Sequence, residues 1–172
     1  MTNTIGKQLK PCSEKDYGSD YKSHYLEIYK LYVEKADAIS TRRQSANSFF
    51  LTINTAILGV TGYIGTSGNS IKLALGLAGI LLCFFWYKLI LSYKQLNSGK
   101  FKVIHEIEKK LPLAPYDAEW EAVGRGKKPE LYKPFTLVEM AVPRIFFAFH
   151  FILMIIVYWH PALKYLQTII EQ

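Results

Sequence analysis

Residues 44–71 read QSANSFFLTINTAILGVTGYIGTSGNSI, and none of them carries a charge. The apolar centre runs from Phe49 to Ile64. A helix rises about 1.5 Å per residue and the hydrocarbon core is about 30 Å thick, so roughly 20 residues cross it. Residues 48–66 therefore read as a membrane span. The next residues, 67–72, are rich in Gly, Ser and Asn and permit only a tight turn. Residues 73–91, LALGLAGILLCFFWYKLIL, form a second apolar run. Lys88, its one charge, is close enough to the end to snorkel. Phe84, Phe85, Trp86 and Tyr87 sit where an interfacial belt belongs. Residues 48–66 and 72–91 thus predict a transmembrane hairpin. It begins after more than forty mostly polar residues, so its first arm does not read as a cleavable signal peptide.

A third segment is shorter. Residues 145–158 are apolar on every side, unlike a helix lying flat in the interface. His150 interrupts them, and Arg144 and Trp159 stand where they could anchor the ends. Residues 142–160 read as a short third span, with a re-entrant or buried hairpin helix as the alternative. Basic residues set the orientation. Eight Lys and Arg precede residue 45 and more lie between 88 and 144, against Lys72 in the turn and Lys164 in the tail of residues 161–172. The positive-inside rule places the N-terminus and the central region in the cytoplasm. The formal charge of +7 fits this use of Lys and Arg rather than nucleic-acid binding. Cys12 lies in a polar tail and Cys83 in an apolar run, so they form no disulfide framework.

The remaining parts read as follows. Residues 1–18 are a loose polar tail. Residues 19–47 form a helix capped near Ser19 or Asp20 that runs into the first span. Its Tyr21, Tyr25, Ile28, Tyr32 and Ile39 make a heptad-like seam. Such a seam packs on its own domain or meets the same helix in a neighbouring subunit. Residues 92–141 continue the second span as a helix with a break near Asn97 and Gly99. A helix over 101–111 follows, with Val103, Ile104, Ile107 and Leu111 on one face. An ordered Pro-rich loop then carries Tyr116, Trp120 and Tyr132 as anchors. The fold class is all-α: an integral membrane helical bundle of two or three spans, with long helices extending into the cytoplasm, built as a homo-oligomer.

One face of the first span is small or hydroxylated along its whole length: Ser45, Ser48, Thr52, Thr55, Gly59 and Gly62, with Asn47 and Asn54 beside it. Lipid gives no reason for such a face, whereas a helix partner does. Either it packs within the hairpin, or Ser48, Thr52, Asn54, Thr55, Gly59 and Gly62 face subunit contacts or a wet lumen. Nothing in the chain reads as catalytic. His24, His105, His150 and His160 lack metal-ligand spacing. Glu106 and Glu108, with Lys109 and Lys110, read as a solvated charged face rather than an acid–base pair. The stretch 124–128, GRGKK, lacks the spacing of a phosphate loop and reads as a basic turn near anionic lipid or an acidic partner.

Three stretches carry a resemblance: RRQSANSFFLTINTAILGV (42–60), WYKLILSYKQLNSGKFKVIHEIEKKLPLAPYDAEW (86–120) and FTLVEMAVPRIFF (135–147). They resemble the RipA family of octameric bacterial membrane proteins, and the layout is similar to that of two-span membrane effectors of bacterial conflict systems. The resemblance implies a homo-oligomer, an octamer, of the bacterial inner membrane. It implies a role in antiphage defence by permeabilising that membrane. The implied partners are other copies of the chain, membrane lipid and a phage-derived protein trigger, with no nucleic acid. It supplies no catalytic residue and no cofactor.

Overall fold

The computed structural model describes residues 5–6, 8–10, 12–64 and 68–170, with side chains up to residue 159. Residues 65–67, the expected end of the first span and start of its turn, lie outside the described residues, as do residues 171–172 of the expected tail. The regular elements are helices. The one-turn α1, Glu14–Tyr17, starts where Ser13 Oγ accepts from the Asp16 amide at 3.3 Å and stops at Gly18, whose φ of 97° a side chain would resist. α2 runs unbroken over Tyr21–Tyr63, with no proline inside it.

α3, Asn69–Glu108, has 40 residues and passes without interruption through Asn97 and Gly99. The expected break there does not occur, because an isolated glycine costs a helix only about 1 kcal/mol, which the long helix on either side outweighs. The helix stops at Glu108, where the amides of Lys110 and Leu111 tighten back onto the carbonyls of Ile107 and Glu108. α4, Pro115–Ala122, opens with proline at its first position. A 3-10 turn over Gly124–Gly126 follows.

α5 occupies Phe135–Ile170. It begins seven residues before the expected third span, passes through Pro143 and continues beyond Pro161 into the expected tail. Surrounding helices make proline tolerable inside apolar membrane helices. The apolar stretch therefore lengthens to Phe135–Trp159, 25 residues, enough to cross a membrane.

Two helices among the described residues are long and apolar enough to cross a membrane: α3 and Phe135–Trp159 of α5. Only 28% and 11% of their apolar windows are buried, whereas the core helix of a soluble protein would be mostly buried. The segment expected to be weakest is thus among the most apolar. α2 falls short because Asn47, Asn54, Thr52, Thr55 and Thr61 dilute its uncharged part.

The chain divides into two compact units. One comprises residues 44–91 and 135–172. Its apolar cluster is Trp86, Ile90 and Met140, joined by Phe50 and Phe146. The Phe50 and Trp86 rings stack at 5.8 Å. The other comprises residues 1–43 and 92–134. Ala36, Ile39, Ile104 and Ile107 are its buried apolar residues.

Candidate assembly face and buried polar layers

In the apolar unit, three helices meet through polar groups stacked in two layers. In the first, Trp86 Nε1 donates to Asn47 Oδ1 at 2.8 Å, and Asn47 Nδ2 donates to Glu139 Oε1 at 2.7 Å. In the second, Asn54 Nδ2 donates to the Phe50 carbonyl at 2.8 Å. That bond fixes the amide, so Oδ1 faces Cys83 Sγ at 3.3 Å and His150 Nε2 at 3.1 Å. An amide oxygen only accepts, so His150 Nε2 carries the proton. Asn54, His150 and Cys83 are 0%, 1% and 2% exposed.

Helix periodicity builds these layers. Asn47 and Asn54 are seven residues apart and Glu139 and His150 eleven, two and three turns on one face. Gly79 completes the second layer. A Cβ there would lie 2.3 Å from the His150 ring, and one on Gly76 would lie 2.7 Å from Met154 Cγ. These glycines let α5 lay a histidine and a methionine against the α3 backbone.

This arrangement corrects the expected role of Asn54. It is sealed inside one protomer and faces neither a lumen nor a second copy. The rest of the stripe is elsewhere: Ser48, Thr52, Thr55, Gly59 and Gly62 are all exposed. A Cβ on Gly59 or Gly62 would meet no atom within 4 Å. Packing within the hairpin therefore does not account for the stripe. Thr52 Oγ1 donates to the Ser48 carbonyl at 2.9 Å, so its hydroxyl is already satisfied within the helix.

The second unit has a buried carboxylate where a solvated face is expected. Glu108 is 1% exposed. Its carboxylate accepts from Tyr29 Oη at 3.0 Å and from the amides of Tyr116 and Asp117, both at 3.1 Å. Those amides open α4, whose own N-cap, Ala114, has no side chain to offer. Glu108 therefore caps a helix at a distance, with its negative charge at the positive end of the dipole. Burial and the neighbouring carboxylate push the Tyr29 phenol up to about 12. The missed signal was Glu108 followed by a helix opening on Ala-Pro, which lacks a cap of its own.

In the seam of α2, Tyr21, Tyr25 and Tyr32 are half-buried and Ile39 is buried, but Ile28 is 56% exposed. Tyr29 takes its place. Tyr25 Oη donates to the Ile107 carbonyl at 2.7 Å, and Lys100 Nζ lies 4.6 Å from the Tyr32 centroid. These residues are thus used inside the protomer, and Ile28 faces outward. In the basic turn, Arg125 sits at φ 53° between two positive-φ glycines. It pairs with Glu121 and Asp117 of α4. Its charge is spent within the unit, leaving Lys127 and Lys128 exposed. Among the described residues no group of three His, Cys, Asp or Glu could hold a metal ion.

No curated protein and no solved structure matches the chain. A family model does, that of the octameric membrane protein family, over residues 26–159. This match takes in most of both units, the two apolar stretches and both polar layers. By a match over most of its length, and by helices apolar enough for lipid, the chain belongs to the octameric membrane protein family.

Proposed function

We propose that the protein assembles into a homo-octamer in the bacterial inner membrane, N-terminus in the cytoplasm, and permeabilises that membrane as an effector of antiphage defence. One observation carries the reading: an exposed stripe of Ser48, Thr52, Thr55, Gly59 and Gly62 on a helix free of charge from Gln44 to Tyr63. Small residues let helices of neighbouring copies approach closely, and closed cyclic symmetry is the common outcome of such a repeated contact. The family's name supports the subunit number. The resemblance to RipA-type proteins and conflict-system effectors supports the role, with a phage-derived protein as trigger.

The test is uptake of a membrane-impermeant dye by infected cells expressing the protein. Wild-type cells take it up. Cells with Gly59→Leu and Gly62→Leu, which put bulk on the stripe, keep their membranes sealed while the protein remains in the membrane as smaller species. Sealed membranes in infected wild-type cells would overturn the reading. A scaffold reading has its own support in Leu113 and Leu131, 78% and 55% exposed on the Pro-rich loop. Under it, Leu113→Ser with Leu131→Ser removes function and the stripe variants do not.

A further inference from the structure

The apolar unit carries a groove between α3 and α5 that the assembly reading does not use. It has a volume of about 220 Å³ and is lined by Cys83, Phe84, Tyr87, Pro143, Arg144 and Phe147. Phe84, Arg144 and Phe147 are exposed, so the groove opens outward. The two helices run in opposite directions past each other. Going from Tyr87 to Cys83 on α3, or from Arg144 to Phe147 on α5, leads about one turn further into the apolar stretch. All the charge therefore gathers at one end.

Two cations stand there. Arg144 Nη2 donates to Tyr87 Oη at 3.0 Å, and its guanidinium lies 5.1 Å from the Tyr87 centroid. Lys88 Nζ lies 5.5 Å from the centroid of Phe84, a wall of the groove. Neither cation meets a carboxylate among the described residues. Uncompensated cations at the edge of an apolar slot call for an anion that carries an apolar tail. We infer that the groove binds an anionic phospholipid, one acyl chain along Cys83, Phe84 and Phe147 and the phosphate held by Arg144 and Lys88.

The chemistry discriminates against other occupants. A second copy covering the groove would bury two cations without countercharge, which is expensive. A compact metabolite would leave the apolar wall uncovered, and the volume is below the roughly 300–1,000 Å³ of enclosed small-molecule pockets. The guanidinium is held on the Tyr87 ring with most of its donors free, as bidentate contact with a phosphate requires.

The test uses the full chain in mild detergent, titrated with dioleoyl phosphatidylglycerol or dioleoyl phosphatidylcholine and read by native mass spectrometry. Phosphatidylglycerol adducts are expected to dominate. Lys88→Gln and Arg144→Gln each reduce the preference by roughly five-fold, and together they abolish it. Lys88→Arg with Arg144→Lys keeps the charge and the preference, which separates charge loss from misfolding. Lys127→Gln with Lys128→Gln leaves the preference intact. Phe147→Trp, which fills the groove, weakens both lipids. An unchanged preference in the double Gln variant overturns the site. Competition by soluble glycerol phosphate as strong as by lipid would make it a free-phosphate site and overturn it too. So would a Phe147→Trp variant that binds lipid normally but assembles into smaller species, which marks the groove as a face between copies.

Discussion

The two units solve the same problem with different materials. Each buries a set of hydrogen-bonded polar groups. In the apolar unit, the bonds run between side chains of three helices, in layers set by Asn47 and Asn54. In the other, one carboxylate, Glu108, gathers a phenol and two backbone amides. The surroundings explain the difference. In lipid, apolar residues are as comfortable outside as inside, so Ile145, Phe149, Ile152 and Ile156 are exposed and burial alone cannot choose a packing. Hydrogen bonds between helices must choose it. In the other unit, burial of Ile39, Ile104 and Ile107 already chooses, and the polar group has the narrower task of starting α4.

If layers specify the apolar unit, breaking one has the largest effect. Asn54→Leu leaves the protonated His150 Nε2 and the Cys83 thiol buried without an acceptor. We expect a loss of about 3 kcal/mol in detergent, seen as a lower midpoint of thermal unfolding. Gly79→Ala acts on the same layer from the other side. The added methyl group forces the His150 ring away, at about 2 kcal/mol, and His150→Ala in the same chain should recover part of it. A Gly79→Ala variant as stable as the wild type would remove the layer from the account of specificity.

The layers also show what the sequence disclosed. The apolar run of residues 73–91, within α3, was visible because lipid imposes composition over a fixed length. The small stripe was visible because its spacing of three and four is local to one helix. Asn54 was assigned to that stripe because it is its neighbour in sequence. Its true face is set by partners on two other helices, 29 and 96 residues away. The start of α5 at Phe135 is hidden for a related reason, since a helix that continues through Pro143 depends on the helices packed around it. Long-range partners leave no periodic mark, and Glu108 beside Glu106, Lys109 and Lys110 looks like one more surface charge.

Glu108 gives the intermediate effect. Glu108→Gln keeps the shape but removes the charge and gives the opening amides of α4 a weaker acceptor. About 1–2 kcal/mol should go, with faster hydrogen exchange at Tyr116 and Asp117. The Tyr29 phenol supplies a pH dependence. Its value is raised from an ordinary 10.0 to about 12, so the folded state favours the neutral phenol. The stability it contributes is complete below pH 10 and is lost as pH rises toward 12. Denaturant titrations at successive pH values in that window should show a decline in the wild type that is shallower in Tyr29→Phe. Equal slopes would mean that the phenol is not coupled to folding.

The smallest effect separates the two faces of α2. Ile28 and Ile39 belong to one apparent heptad, yet they are 56% and 6% exposed. Ile39→Thr opens a buried site and introduces a hydroxyl into it, so it should destabilise by more than 1 kcal/mol. Ile28→Thr alters a side chain that is mostly exposed and should change its stability by no more than about 0.5 kcal/mol. Because α2 leaves Ile28 outward while Tyr29 turns in, Ile28 is free to contact another copy. The same variant should then alter the size of the assembly more than the stability of the protomer, as read by light scattering against thermal unfolding. If Ile28→Thr lowered the unfolding midpoint as much as Ile39→Thr, the seam would be a true heptad and Tyr29 would not have displaced Ile28 from it.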